Sequence, residues 1–237
     1  MPTITVSVVS HAQATLVGDL LADLARLARE GLDVVLTLNV PEEALVSPPG
    51  LAIETIRNTS PKGFGANHNA AFRRAKGELF CVVNPDIRVD ADPFDVLAGE
   101  LKNSTVGVAA PLVVGASGDP EDSARRFPTL ASLGAKLFRR APRADYPSGL
   151  KPFSPDWVAG MFMVFRREVF ASIGGFDERY FLYYEDVDLC RRLRRNGYDV
   201  RLVPAATVIH FARRESHRRL RHLRWHLASM TRFFFSR

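Results

Sequence analysis

The sequence has 237 residues, of which 46% are hydrophobic and 24% are charged, and these values are typical of a soluble globular protein. A chain of this length buries a core without disulfides, and its two cysteines form no CxxC pair, so we expect a reduced protein without a cysteine zinc site. The sequence has no apolar run long enough to span a bilayer, and we expect no signal peptide. The net charge of +6 is concentrated after Ala212, where Glu215 is the only acidic residue.

The first half of the sequence alternates between two hydrophobic patterns. Short β-branched apolar runs predict buried strands, and apolar residues at helical spacing predict helices between them. The predicted strands are residues 4–9, 34–38, 52–56 and 79–83, and the predicted helices are residues 16–29 and 67–75. This alternation predicts an α/β fold with a mostly parallel central sheet flanked by helices.

The second half is less regular. We predict strands at 106–114, 200–203 and 207–209, helices at 130–140, 167–173 and 185–196, and loops at 115–128 and 143–155. The run at 157–165 is apolar with Gly160 inside it. The helix at 185–196 has the clearest signals, with acidic residues in its first turn, arginines in its last turns and Gly197 as terminator.

Asn84-Pro85-Asp86 directly follows a predicted buried strand. Open α/β sheets bind ligands beyond the carboxyl ends of their strands, and Mg²⁺ is usually held by one or two carboxylates together with substrate phosphates. Asp86 is therefore a candidate cation ligand. The alternative is a plain turn, because Asn, Pro and Asp are favoured turn residues.

A second cluster places five carboxylates within twelve positions, interleaved with aromatic residues. Its members are Asp177, Glu178, Glu185, Asp186 and Asp188. A carboxylate at a helix start, beside rings that limit water, is a suitable general base. The alternative, compatible with the first, is that the acids at 185–188 only favour the positive end of the helix dipole.

Three further features are open to two interpretations each. The segment from Lys62 to Asn69 contains GxG but no third glycine, so its glycines either let backbone approach a nucleotide or form a tight turn. His210 ends a predicted strand, and a single histidine is more often structural than a ligand. The tail at 213–237 combines arginines with aromatic residues, which suits either a solvated basic helix or a helix on an anionic membrane.

Taken together and in this order, these segments resemble the family 2 glycosyltransferases, which are inverting enzymes with the GT-A fold. The resemblance extends from about Thr5 to His210 and is carried by residues 6–11, 63–69, 84–86, 157–160, 174–178 and 185–189. It implies one GT-A domain at 1–212, with a Rossmann-like nucleotide-sugar-binding half at 1–115 and an acceptor half at 116–212, followed by the basic amphipathic tail.

The resemblance also implies roles for individual residues. Asp186 corresponds to the catalytic base, with Glu185 as the alternative, and Asp86 and His210 correspond to metal ligands. The implied nucleotide-sugar-binding residues are Ser10, His11, Asn39, Lys62, Gly63, Phe64, Asn69, Asn84 and Asp86. The implied acceptor-side residues are Trp157, Gly160, Asp177 and Glu178.

The implied reaction moves a sugar from a dTDP- or UDP-sugar to a saccharide or lipid-linked acceptor of a surface polysaccharide, with Mg²⁺ or Mn²⁺ as the divalent cation. The NPD form of the metal motif resembles rhamnosyltransferase-like members and favours rhamnose. We expect a cytoplasmic protein whose tail can dock on the anionic inner face of the cytoplasmic membrane, and we expect no nucleic-acid partner.

The sequence departs from the family pattern at the metal motif, where Asn84 replaces the first Asp, and after the second strand, where Leu38-Asn39 replaces Asp-Asn. The tip of the first strand also differs, at residues 10–13. These departures leave open an inactive glycosyltransferase-like partner subunit. A nucleotidyltransferase is a second alternative, although residues 10–15 lack the Gly, Lys or Arg of its phosphate loop, and a nucleic-acid-binding module built on the tail is a third.

Overall fold

The computed structural model describes residues 1–43, 45–129, 145–146, 149–211 and 220–235. The strands are β1 Ile4–Ser10, β2 Leu32–Leu38, β3 Ala52–Arg57, β4 Leu79–Val83, β5 Ile87–Arg88, β6 Val106–Gly115, β7 Ala124–Arg125, β8 Trp157–Val158, β9 Phe162–Arg166 and β10 Asp199–His210. The helices are α1 Ala14–Arg26, α2 Phe64–Phe72, α3 Phe94–Leu101, α4 Arg167–Ser172, α5 Glu185–Arg195 and α6 Leu220–Phe235.

Eight strands form the central sheet in the order β3-β2-β1-β4-β9-β6-β10-β5, and β7 pairs with β8 in a small second sheet. The pairs β1–β2, β1–β4, β2–β3 and β6–β10 are parallel. The prediction of a mostly parallel central sheet is confirmed. Because β1 lies between β2 and β4, the carboxyl ends of these three strands meet at one edge, where open sheets bind ligands.

The strand β9 runs antiparallel to both β4 and β6 and joins the two parts of the sheet. The edge strand β5 pairs antiparallel with β10, and this pairing sets His210 opposite Ile87. Asp86, which lies between β4 and β5, is thereby brought close to His210 at the end of β10, although the two are far apart in the sequence.

The core has a layer on each face of the sheet. Leucines of α1 and residues of α3 pack on one face, and an aromatic cluster that includes Phe80, Phe165 and Phe170 lies on the other with α2, α4 and α5. Asp23 of α1 is fully buried and accepts hydrogen bonds from the Arg88 guanidinium and the Val89 N–H. This pairing links β5, which begins directly after Asp86, to helix α1.

Several predicted elements differ from the structure. The third predicted strand is not buried, because β3 lies at the sheet edge and four of its six residues are exposed. The two predicted strands at 200–203 and 207–209 are one strand, β10, with an irregularity between Val203 and Thr207. The apolar run at 157–165 is two strands, β8 and β9. The predicted helix at 130–140 lies outside the described residues, as does most of the 143–155 loop before residue 149.

The predicted division into residues 1–212 and 213–237 stays a prediction. Cys81 and Cys190 are both buried and free. Among the described helices, none has both the length and the apolarity that crossing a membrane requires.

Candidate active site

A cleft of about 730 Å³ opens beside the small sheet, the start of α5 and the helix α6. Its lining comes from residues within 121–129, 157–161 and 183–187, with Asp145 and His226. The lining brings together charged groups of both signs and several aromatic rings. It is therefore suited to a polar ligand with ring-shaped apolar faces.

The five clustered carboxylates separate into two groups. Asp177 is held by the Arg179 guanidinium at 2.7 Å, and Asp188 is held by Arg191 at 2.9 Å and Arg192 at 2.7 Å. Glu178 accepts a hydrogen bond from the Asn69 amide at 3.0 Å. These three carboxylates do not line the described cleft, whereas Glu185 and Asp186 do.

Asp186 is fixed by backbone donors. Its Oδ2 accepts the Gly160 N–H at 3.0 Å, and its Oδ1 accepts the Val187 N–H at 2.8 Å. Burial raises the pKa of Asp186 above its usual value, and the two N–H donors oppose that rise. The result is an oriented carboxylate whose basicity exceeds that of an exposed aspartate, which suits a general base.

Glu185 is more deeply buried, with 5% of its surface exposed, and its Oε2 has no hydrogen-bond partner among the described residues. Burial and the neighbouring Asp186 charge raise its pKa well above the usual value. The protonated form of Glu185 is thus favoured in the fold. Asp186 lines the cleft with a carboxylate oriented by two backbone N–H donors, whereas Glu185 Oε2 has no such donor among the described residues, so the geometry favours Asp186 as the base.

Two tyrosines before α5 adopt a backbone conformation that is rare for residues other than glycine. Tyr183 has φ of 72° and Tyr184 has φ of 66°. Contacts with α6 hold them there: the Tyr183 hydroxyl lies 3.0 Å from His222 Nδ1, and the Tyr184 ring packs on Phe233. Such left-handed residues cost about 1–3 kcal/mol each and persist where surrounding structure imposes them. Sequence reasoning missed this support of the α5 start.

A second charged site lies at the ends of β4 and β10. Asp86 Oδ2 lies 3.3 Å from His210 Nε2, and His210 Nδ1 lies 2.7 Å from Glu121 Oε2. The hydrogen bond to Asp86 raises the pKa of His210 to about 9, and Glu121 adds to that rise. Glu121, which sequence reasoning missed, also lines the cleft and so links this site to it.

Asp86 and His210 fit a divalent cation. Asp86 Oδ1 is buried and has no hydrogen-bond partner among the described residues, which leaves an oxygen available as a ligand. Over the described part of the chain, no three His, Cys, Asp or Glu side chains converge on one point. Two protein ligands suffice where substrate phosphates complete the coordination. The Asn84 carbonyl also accepts the Ile87 N–H at 3.2 Å, so the segment is a turn as well.

Asn39, directly after β2, forms hydrogen bonds with the segment that follows β3. Its Oδ1 accepts the Lys62 N–H at 2.8 Å and the Asn58 amide at 2.9 Å, and its Nδ2 donates to the Lys62 carbonyl at 3.0 Å. At the end of β1, Ser10 donates to Glu42 at 2.8 Å, and His11 is exposed beside Asn39. The predicted residues Ser10, His11, Asn39 and Lys62 are therefore neighbours, and Asn58 and Glu42 join them.

The predicted residues Gly63, Phe64 and Asn69 contact the segment before α5. A Cβ at position 63 would lie 2.7 Å from the Phe181 carbonyl oxygen, which accepts the Phe64 N–H at 2.9 Å. Asn69 bonds both backbone groups of Phe176, at 2.8 and 2.9 Å. These contacts tie α2 to the segment that precedes α5.

Trp157 and Gly160 belong to the cleft side. The Trp157 indole lines the cleft and donates to the Arg126 carbonyl at 2.9 Å. Gly160 donates its N–H to Asp186, and a Cβ there would lie 3.1 Å from the Phe64 ring. A side chain at position 160 would therefore press on the ring next to the base.

Comparison with solved structures identifies the class of fold as that of the GT-A glycosyltransferases. A mannosyltransferase from Pyrobaculum calidifontis, PcManGT, solved with GDP-Man and Mn²⁺, has a TM-score of 0.68 at 21% identity over 98% of this chain and 64% of that one. GalNAc-T7, solved with UDP, GalNAc and Mn²⁺, has a TM-score of 0.68 at 17% identity over 91% of this chain and 45% of that one. The expected GT-A fold is confirmed.

Residues 2–228 match the model of the family described as "Glycosyltransferase like family 2", and the chain belongs to that family. The rhamnosyltransferase WbbL of Escherichia coli K12 is 32% identical over 185 residues, which are 72% of this chain and 69% of that protein. An N-acetylglucosaminyl-diphospho-decaprenol L-rhamnosyltransferase of Mycobacterium tuberculosis H37Rv is 35% identical over 139 residues, 54% of this chain and 45% of that protein. The expected enzyme class, a glycosyltransferase, is confirmed, and this match spans about half of the mycobacterial protein.

Proposed function

We propose that the protein is a metal-assisted, inverting glycosyltransferase that uses a dTDP- or UDP-sugar, with rhamnose favoured. The observation that carries this proposal is the pair of sites described above: a buried carboxylate, Asp186, in the cleft, and a cation-suited pair, Asp86 and His210, connected to it through Glu121. The two rhamnosyltransferases among the relatives support the sugar.

In this proposal an acceptor hydroxyl enters the cleft and gives its proton to Asp186. The acceptor oxygen forms a bond to the anomeric carbon, and the bond from that carbon to the diphosphate oxygen breaks on the opposite face, so the configuration inverts. The electron pair leaves with the diphosphate. General-base assistance of this kind contributes about 10²–10⁴-fold to a rate. The backbone donors at Gly160 and Val187 keep the carboxylate oriented during the transfer.

Asp86 and His210 would hold the divalent cation. When bound, the cation neutralises charge that develops on the leaving diphosphate. A set of one carboxylate and one imidazole is compatible with Mn²⁺ and Mg²⁺, and imidazole favours the transition metal. Both structural neighbours described above contain Mn²⁺, which supports a divalent cation here.

The cleft supports an acceptor that carries phosphate as well as sugar. Arg125, Arg126 and His226 lie in its lining, and such cationic or hydrogen-bonding groups recognise phosphate oxygens. Trp157 offers an aromatic face to a sugar ring. The mycobacterial relative is named for a sugar-diphospho-lipid acceptor, and we propose a lipid-linked saccharide of surface-polysaccharide synthesis for this chain.

The helix α6 supports action at a membrane surface. Ser229 and Phe233 are buried against the rest of the fold, whereas Leu223, Leu227 and Phe235 are exposed on it. The exposed Arg221, Arg224 and Arg232 accompany this apolar surface. Exposed apolar side chains with arginines suit an anionic membrane, so we propose peripheral docking at the inner face of the cytoplasmic membrane.

A panel of UDP-, dTDP- and GDP-sugars, each with and without Mn²⁺, tests the proposal by thermal unfolding and by transfer to a sugar-diphospho-lipid. A donor that binds only the folded protein at 100 times its Kd should raise the free energy of unfolding by about 2.7 kcal/mol. We expect the largest Mn²⁺-dependent rise with a dTDP- or UDP-sugar. The proposal is wrong if no nucleotide sugar gives binding or transfer.

A further inference from the structure

We propose that Glu121 is a positioning residue that orients the His210 imidazole for the divalent cation. In this way the chain compensates for the carboxylate that Asn84 lacks. The inference rests on the metal-assisted function proposed above. It concerns a residue that follows β6 and lies 89 positions before His210, so no local sequence pattern connects the two.

The two ring nitrogens of His210 contact different carboxylates. Glu121 Oε2 lies 2.7 Å from Nδ1, which is a short hydrogen bond, and Asp86 Oδ2 lies 3.3 Å from Nε2, which is longer than a typical one. With Nδ1–H donated to Glu121, Nε2 faces Asp86, and a cation bound there would take the place of the Nε2 proton that Asp86 otherwise accepts. A metal-bound histidine usually donates its other ring N–H to a carboxylate in this manner, and that partner fixes the tautomer and the ring orientation.

Asp86 supplies the second observation on the same side of the ring. Its Oδ1 is buried without a hydrogen-bond partner among the described residues, although a buried acceptor normally finds a donor. The unpartnered oxygen thus belongs to the carboxyl group that contacts Nε2 through its other oxygen, whereas Glu121 contacts Nδ1 on the other side of the imidazole. This arrangement makes Asp86 and His210 the ligands and gives Glu121 the supporting role.

The backbone around Glu121 is well fixed. Its N–H donates to the Val113 carbonyl at 2.8 Å, and its carbonyl accepts the Ser123 N–H at 2.8 Å. The turn before it is closed by the Gly115 N–H, which donates to the Asp119 carbonyl at 2.9 Å. Gly115 itself is paired with His210 in the β6–β10 register. A residue that orients a ligand must sit on a rigid support, and Glu121 does.

The test compares Glu121→Gln with Asp119→Asn, a matched loss of one carboxylate in the same turn. Asp119 is exposed, and its carboxylate accepts a hydrogen bond from Ser117. Titration calorimetry with Mn²⁺ in the presence of dTDP should show about 10–100-fold weaker Mn²⁺ binding for Glu121→Gln. Asp119→Asn should change the affinity by less than about threefold, because exposed charges are screened.

Two readouts separate positioning from a general structural effect. With Mg²⁺ and dTDP bound, the ¹⁵N resonances of His210 should show a protonated Nδ1 and an unprotonated Nε2 in the wild-type protein, and a loss of that preference in Glu121→Gln. The Mn²⁺ concentration that gives half-maximal transfer should rise in Glu121→Gln and should stay close to the wild-type value in Asp119→Asn. Thermal unfolding without Mn²⁺ verifies that the variants are folded.

Unchanged Mn²⁺ affinity in Glu121→Gln, or an equal loss in Asp119→Asn, would overturn the inference. A raised acceptor KM with normal Mn²⁺ binding would also overturn it, because Glu121 would then act on the acceptor through the cleft. An Asp86→Ala arm keeps the two proposals apart. If Asp86→Ala loses Mn²⁺ binding and Glu121→Gln does not, only the role of Glu121 fails; if wild-type protein binds no Mn²⁺, the metal-assisted function fails with it.

Discussion

The two carboxylate sites of this protein differ in how their charge is compensated. At one, Asp86 and Glu121 flank His210, and these contacts raise the pKa of the histidine to about 9. At the other, Asp186 accepts hydrogen bonds from two backbone N–H groups, Glu185 Oε2 has no hydrogen-bond partner among the described residues, and burial raises the pKa of both carboxyls. The first site favours a positive charge between its carboxylates, whereas the second favours uptake of a proton. This difference supports the proposal of a cation at the first site and a base at the second.

Asp186→Asn should produce the largest effect, because it removes the base and leaves the cation site intact. We expect transfer to fall by about 10²–10⁴-fold, with donor and Mn²⁺ binding close to wild type. Steady-state transfer and titration calorimetry measure the two properties separately. Asp177→Asn is the matched control: its carboxylate is paired with Arg179 and lies outside the described lining of the cleft. Normal turnover in Asp186→Asn would remove it as the base.

Asp86→Asn should abolish the stabilisation that a bound cation gives at the site of Asp86 and His210. At Mn²⁺ and dTDP concentrations about 100 times the wild-type Kd, the wild-type protein should gain about 2.7 kcal/mol in the free energy of unfolding. The variant should gain little, because it lacks the charged oxygen that the cation needs. Thermal unfolding with and without Mn²⁺ checks this. An equal gain in both proteins would place the cation elsewhere.

Glu185→Gln tests the second carboxylate of the base site. Since protonated Glu185 resembles a glutamine, we expect transfer to fall by about tenfold or less, far less than in Asp186→Asn. A loss equal to that of Asp186→Asn would make Glu185 the base.

The same variant has a defined pH dependence. The folded-state pKa of Glu185 is raised well above 4.5, so the native state binds more protons than the unfolded state between these two values. Wild-type stability from this group is therefore present below the unfolded pKa and is lost as pH rises through the folded pKa. Relative to wild type, Glu185→Gln should gain stability across that window. Chemical denaturation at several pH values measures the gain, and a difference that does not change with pH would contradict the assigned protonation.

The sequence predicts the parallel strands well, because β-branched runs such as Ile4–Ser10 are buried on both faces of the sheet. It also predicts the acids at 185–186, since they begin a strongly patterned helix. Glu121 could not be predicted, because its role comes from a contact with His210 that depends on the β5–β10 and β6–β10 pairings. The exposure of β3 was missed for a similar reason: an edge position is a property of the whole sheet.

Asn39 and Asn69 belong to motifs that the sequence identifies, but the hydrogen bonds that these two side chains make could not be predicted from it. Both were expected at the nucleotide pocket, and both use their amide groups on neighbouring backbone, at Lys62 and Phe176. A side-chain amide can donate and accept at once, so it can bind both polar groups of a segment, and that use is visible only when the segment is in place. Whether they also contact the nucleotide stays a prediction.

Phe233→Ala tests the support that α6 gives to the base site. The Phe233 ring packs on Tyr184 and under the Arg191 guanidinium, 4.1 Å from its centre. Removing it should loosen the Tyr183-Tyr184 backbone before Asp186 and raise the acceptor KM several-fold, with Mn²⁺ affinity unchanged. Kinetics against acceptor concentration checks this. A weakened Mn²⁺ affinity would show that α6 supports the cation site as well. That result would contradict the proposal that the two sites are supported separately.

Phe235→Ala should have the smallest effect on catalysis and a specific effect on membrane binding. Its ring is 84% exposed, so its loss leaves the packing of α6 on Tyr184 intact, and transfer to a water-soluble acceptor should match wild type. If this end of α6 inserts into an anionic surface, loss of an apolar side chain worth about 1.5–3 kcal/mol when buried should weaken binding to vesicles containing anionic lipid by about tenfold or more. Vesicle co-sedimentation measures the change, and neutral vesicles serve as the control. Equal vesicle binding by wild type and Phe235→Ala would contradict membrane binding by this end of α6. The role of α6 would then be its contact with the base site.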